Sequence, residues 1–85
     1  MRLDKFLKTS RLIKRRTVAN DACDAGRVSV NGKVSKAGAD IKVGDVIEVR
    51  FGANTTKAEI LLVAENVRKD DAAGMYRLLA GQEIE

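Results

Sequence analysis

Seven cations crowd the first sixteen residues: Arg2, Lys5, Lys8, Arg11, Lys14, Arg15 and Arg16, opposed there only by Asp4. Side chains of this kind hold phosphate, Arg through two parallel N–H···O bonds and Lys as a point charge. A solvated helix face normally mixes signs, because opposite charges at i,i+4 stabilise it and like charges repel. This series is nearly all of one sign, so it reads as a phosphate-binding surface, with a plain solvated face as the competing reading. Arg27, Lys33 and Lys36 would extend it. Residues 1–36 carry 10 Lys/Arg against 3 Asp/Glu, a net of +7, and residues 37–85 carry 6 against 9, a net of −3. A protein divided in this way has one basic face, and the polyanion that best matches it is nucleic acid. An anionic membrane surface competes on charge alone.

Other chemistries are excluded by what is missing. The chain has 85 residues and no His, which removes an imidazole base, a Ser-His or Cys-His nucleophile pair and a His metal ligand. Its single Cys makes no internal disulfide and no Cys-rich zinc site. No cofactor and no catalytic activity are expected, and without a disulfide framework the chain is expected in the cytoplasm. No apolar run approaches the roughly 18 residues of a membrane span, and no apolar segment behind Met1-Arg2-Leu3-Asp4-Lys5 suggests a signal peptide. The aromatic residues are Phe6, Phe51 and Tyr76, with no Trp. Phe6 and Phe51 sit in apolar patterns and read as core. Recognition is therefore expected through phosphates, riboses and the shape of structured RNA rather than by base stacking. Cys23 reads as a small core residue.

The elements that must position these cations follow from the apolar spacing. Leu3, Phe6 and Leu7 stand at i, i+3 and i+4, which predicts a short helix over 3–8. Thr9-Ser10-Arg11 reads as a turn. Lys14-Arg15-Arg16-Thr17 opens a second helix to about Ala25, with Val18, Ala19, Ala22 and Cys23 inward and Gly26 as a left-handed stop. Cations in its first turn oppose the helix dipole, a cost that an anionic ligand would offset. Arg27-Val28-Ser29-Val30 alternates and is followed by Asn31-Gly32, a strong hairpin signal. Gly44-Asp45 marks a turn, Val46–Phe51 a strand, Gly52-Ala53-Asn54 another turn and 58–63 a last strand. From Asp70 a helix of about ten residues is expected, with Ala72, Met75, Tyr76 and Leu79 on its apolar face and Gly74 as a weak point.

These residues also carry a family likeness. Arg2-Leu3-Asp4-Lys5-Phe6-Leu7, then Ser10-Arg11 and Lys14-Arg15-Arg16, then the run from Ala25 to Lys33, then Val43-Gly44-Asp45-Val46-Ile47-Glu48-Val49 together resemble the αL RNA-binding domain. That domain is named for the small-subunit ribosomal protein that first showed it. The likeness covers about residues 1–50, and Gly-Arg-Val-x-Val-Asn-Gly followed at this spacing by Gly-Asp-x-Ile is specific. In pseudouridine synthases, tyrosyl-tRNA synthetases and RNA methyltransferases the domain is appended to a catalytic one, and here nothing large follows. Stand-alone members include the fifteen-kilodalton ribosomal heat-shock protein, with its longer and strongly basic extension. The full-length pattern, including the tail from Lys69 to Tyr76, is similar to the branch of the family that serves ribosome-associated quality control.

That resemblance implies binding to a dissociated large ribosomal subunit that still carries a stalled peptidyl-tRNA. It implies contact with large-subunit rRNA and the tRNA, and support of a partner factor that adds C-terminal alanine tails to the nascent chain. It places the RNA face on Arg2, Lys5, Ser10, Arg11, Lys14, Arg15 and Arg16, with the hairpin cations. Lys8 joins from the basic series, and Arg27, Lys33 and Lys36 from the hairpin region. The expected fold is α+β: two packed helices on a small bent antiparallel sheet, with a C-terminal helix. Residues 1–63 are expected to form the RNA-binding domain, and 64–85 a net-acidic extension outside the RNA face. The alternatives are a general heat-shock or ribosome-assembly rRNA-binding protein, or an accessory module tethering a catalytic RNA-modifying subunit.

Overall fold

A computed structural model describes residues 1–82 and residue 84. Helix α1 (Leu3–Thr9) is followed by α2 (Arg16–Asp24), the short hairpin β1 (Val28–Val30) and β2 (Lys33–Val34), and the longer hairpin β3 (Val46–Phe51) and β4 (Asn54–Ile60). A single helical turn, α3 (Lys69–Ala72), then runs through a 3-10 turn (Ala73–Met75) into β5 (Tyr76–Ala80). The five strands form one antiparallel sheet in the order β2-β1-β3-β4-β5. This is the expected α+β architecture. No helix among the described residues is long and apolar enough to cross a membrane.

The core follows the predicted stripes. Leu3, Phe6 and Leu7 of α1 are fully buried, as are Leu12 and Ile13 between the helices and Ala19 of α2, and Ala22 and Cys23 complete that face. Val28, Ile47, Val49, Ala58 and Ile60 meet them from the sheet. Burying one such large side chain stabilises by about 1.5–3 kcal/mol. The small residues of α2 let it approach α1 closely, which fixes how the basic ends of the two helices meet.

The predicted Gly26 stop and the predicted Asn31-Gly32 turn both have the expected geometry. Gly26 has φ 74°, and the N–H groups of Gly26 and Arg27 donate to the carbonyls of Cys23 (3.1 Å) and Ala22 (2.9 Å). That pair of bonds satisfies the last carbonyls of α2 and turns the chain into β1. Asn31 and Gly32 have φ 53° and 83°, and Val30 pairs with Lys33, which defines a two-residue turn with both central residues left-handed. Asn31 does more than turn. Its Nδ2 donates to Asp45 (3.0 Å) and its Oδ1 accepts from the Val46 N–H (2.9 Å), which locks the first hairpin to the Gly44-Asp45 turn.

The tail differs from expectation. The predicted ten-residue helix is one turn, and residues 76–80 are a strand paired to β4, with Tyr76 opposite Ile60 and Arg77 opposite Glu59. Gly74 weakens the helix where the chain leaves it. The open edge of β4 offers a ladder that an isolated helix cannot match. Ala72, Met75 and Tyr76 are buried by either conformation, so their spacing did not decide between them; Leu79, expected inward, is 46% exposed. The last predicted strand, 58–63, starts earlier and ends at Ile60, because Gly52-Ala53 alone makes the turn. Near the C-terminus Ile84 returns to the inter-helix segment, donating to Leu12 and accepting from the Lys14 N–H.

Candidate nucleic-acid interface

The basic face is organised around a buried acid. Asp4, in the first turn of α1, has no exposed surface. Its carboxylate accepts the Lys5 N–H (2.8 Å), Arg2 Nε (3.1 Å) and Nη2 (3.4 Å), Arg16 Nη2 (3.4 Å) and Asn20 Nδ2 (3.2 Å). A buried carboxylate is tolerated only when it is paired and hydrogen-bonded. Here the pairing draws Arg2, the residue that caps the start of α1, and Arg16, the first residue of α2, onto one point. Their side chains stay 59% and 50% exposed. A guanidinium has five N–H donors, and Asp4 engages two of Arg2 and one of Arg16. The rest remain available to an anion from outside.

Asp4 also changes the reading of α2. Its first turn holds no acidic residue and its N-cap, Arg15, makes no side-chain cap bond. In the sequence, the cost of placing Arg16 there points to an anionic ligand. The structure supplies an internal anion that offsets part of it. What points outward is the exposed remainder of Arg2 and Arg16, together with exposed Lys14 and Arg15.

The loop before β3 completes this end. The first N–H groups of α1, those of Leu3 and Asp4, donate to the carbonyls of Ala39 (2.8 Å) and Ala37 (3.1 Å). Exposed Lys36 therefore sits beside the Arg2 end of the face. A side-chain carbon at Gly38 would lie 3.8 Å from the Arg2 guanidinium, so the loop and Arg2 are in close approach. The amino group of Met1 pairs with Asp40 at 2.7 Å, which anchors the chain start to the same loop. This pairing holds the Asp40 carboxyl below its usual range, first through the hydrogen bond from the amine and then through its charge.

The remaining predicted residues divide. Lys5 is half-buried and lies 3.4 Å from Glu65 of the tail. Lys8 and Arg11 line one cleft. Ser10 is 1% exposed; its hydroxyl donates to the Leu7 carbonyl (3.5 Å) and accepts from the Leu12 N–H (3.4 Å). It holds the turn that presents Arg11 and does not offer its hydroxyl outward. Arg11 itself has φ 62°, an unusual conformation for a residue with a side chain. Arg27 lies beyond the other end of α2, with its guanidinium 6.0 Å from the centre of the Phe51 ring. Lys33 is exposed on the edge strand β2. Arg27 and Lys33 are thus separated from Arg2 and Arg16 by the length of α2.

Sequence reasoning missed the roles of Asp4 and Asn20. The signal was present: one acid inside a run of cations, and an Asn one turn after Arg16. Cys23 is buried as expected, and burial first, then the charges of Asp4 and Asp24, push its thiol up to about 11.

Two helices on an antiparallel sheet, with cations gathered where the helices meet, define a small α+β module with one basic face. The model of the S4 domain matches residues 1–47. The chain is 47% identical over 85 residues to the RQC P-site tRNA stabilizing factor of Streptococcus pneumoniae, covering all of this chain and 97% of that protein. It is 54% identical over 84 residues to the protein of the same name from Halalkalibacterium halodurans, covering 99% and 96%. The trimeric structure of Vibrio cholerae heat shock protein 15 superposes with a TM-score of 0.83 at 30% identity, over 94% of this chain and 82% of that one. The chain belongs to the S4 domain family, among relatives named RQC P-site tRNA stabilizing factor.

Proposed function

We propose that this chain is a cytoplasmic, ribosome-associated RNA-binding factor of ribosome-associated quality control. It binds the dissociated large subunit that still carries a stalled peptidyl-tRNA, contacts large-subunit rRNA and the tRNA, and keeps the tRNA in place while a partner factor adds C-terminal alanines. It acts by binding and performs no catalysis. The observation that carries this reading is the meeting of Arg2 and Arg16 at buried Asp4, with both guanidiniums half-exposed. Phosphate contacts of this kind fix the register and orientation of a protein on structured RNA. The names of relatives that match nearly the whole chain supply the ribosomal setting.

Co-sedimentation tests it. The tagged chain should travel with free large subunits bearing peptidyl-tRNA, and an Arg2→Ala/Arg16→Ala variant should not. Equal recovery with whole ribosomes and with free subunits would point to a general ribosome-binding role instead.

A further inference from the structure

A cleft of about 550 Å³ opens beside the β3–β4 turn, lined by Phe51, Asn54 and Thr55 of that hairpin and by Gly81, Gln82 and Ile84. Phe51, expected in the core from its apolar pattern, is only half-buried; it ends β3 opposite Asn54 and packs against the rim of the core. The facing wall is held in place. Gly81 has φ 76°, and a Cβ there would collide with the Thr55 carbonyl, so only glycine lets the chain pass this close. The Thr56 hydroxyl donates to the Gln82 carbonyl (2.6 Å). Ile84 donates to the Leu12 carbonyl (2.8 Å) and accepts from the Lys14 N–H (3.0 Å), which ties this wall to the segment before α2. On the hairpin side, the Arg50 N–H donates to the Arg27 carbonyl (2.9 Å). Exposed Arg27 thereby brings its guanidinium 6.0 Å from the centre of the Phe51 ring, the outer limit of a cation–π contact. Among the described residues, the side chains of Asn54, Thr55 and Gln82 make no hydrogen bond, and no charged residue lines the cleft.

We propose that this cleft takes one unpaired nucleobase of a structured RNA, stacked on Phe51, with Arg27 on the adjoining phosphate. The proposal rests on the RNA-binding reading above and adds to it the recognition of a base. The lining sets the class of ligand. An uncharged cleft with a half-exposed aromatic ring suits a flat, neutral group, and bases splayed from loops and bulges are read on such rings. Asn54, Gln82 and Thr55 each both donate and accept, as the edge of a base requires. Arg27 supplies, beside the ring, the cation that a backbone phosphate needs. The volume falls within the roughly 300–1,000 Å³ of small-ligand sites. The β3 ladder already fixes the backbone of Phe51, so stacking costs little further freedom.

The test titrates the full chain with three RNA hairpins that differ at one place: a fully paired stem, a single bulged adenosine, and an abasic bulge. The bulged adenosine should bind about five- to fiftyfold tighter than the other two, the range for one stacked base. Phe51→Leu, which keeps an apolar side chain against the core, should abolish that preference and leave affinity for the paired stem unchanged. Phe51→Tyr should retain it. Arg27→Ala should weaken binding of the bulged hairpin and make its salt slope shallower by about one, one phosphate for one cation. Arg50→Ala removes the same charge from the opposite face of β3 and should change binding less than about twofold. Equal affinity for the three hairpins, or an equal loss on all three for Phe51→Leu, would overturn the site. Arg16→Ala separates the levels: if it weakens all three hairpins while the bulge confers no preference, the base site falls and the RNA reading stands; if neither effect is seen, both fall.

Discussion

Arg16 Nη2 lies 3.4 Å from Oδ2 of Asp4, a carboxylate with no exposed surface, and Arg2 reaches the other oxygen of the same group. One buried acid therefore sets the distance and orientation between cations at the starts of the two helices. A diffuse cloud of positive charge needs no such device.

Arg16 and Lys42 separate a defined site from net charge. Lys42 is exposed in the loop before the Gly44-Asp45 turn. Arg16→Ala should weaken binding to the subunit–tRNA complex by about 1–3 kcal/mol, the range for charged hydrogen bonds. Lys42→Ala should cost under about 0.5 kcal/mol, as surface changes away from a site usually do. Arg16→Lys should recover part of the loss, because an ammonium cannot hold Asp4 and a phosphate through one planar fork. Titrations of the three variants at matched salt give the comparison.

Salt reports the number of phosphates. If four to six are neutralised, log K should fall against log salt with a slope of order −3 to −5. A nearly flat dependence would leave the basic face without a phosphate partner.

The tail should be indispensable to the fold. A chain ending at Glu65 loses β5 and the buried Ala72, Met75 and Tyr76. Met75→Ala alone should cost about 2–5 kcal/mol, the range for large-to-small changes in a core. That is a large share of the roughly 5–15 kcal/mol that holds a small domain. Chemical denaturation of Met75→Ala and of the truncated chain checks both.

How much was legible follows from these residues. Leu3, Phe6 and Leu7, the Asn31-Gly32 turn and the Gly26 stop each announce their geometry locally, and the structure agrees with all of them. The tail is not legible in the same way, because Ala72, Met75 and Tyr76 fit a helix stripe as well as a turn leading into a strand. Only the free edge of β4 decides between them, and no local pattern contains that edge. The site was legible as a list of cations. Its organisation was not, since the convergence on Asp4 depends on how α1 packs against α2.

Cys23 should make stability sensitive to alkali. Its thiol is raised to about 11 from an ordinary value of 9.0, chiefly by burial, so between those values the unfolded chain releases a proton that the folded chain keeps. Stability should then fall as pH rises through that window. Cys23→Ala should remove up to one proton's worth of that slope, read from denaturation midpoints between pH 8.5 and 11.

The central claim is that Asp4 builds the site by placing Arg2 and Arg16. Asp4→Asn tests it most directly, because it makes an already basic protein more basic while releasing both arginines. Affinity for the isolated large subunit bearing peptidyl-tRNA should be measured under conditions where circular dichroism shows the variant folded. The account predicts binding weaker by about 1–2 kcal/mol despite the added positive charge. Binding unchanged or tightened would show that charge alone governs the interaction and that the Arg2–Asp4–Arg16 geometry does not.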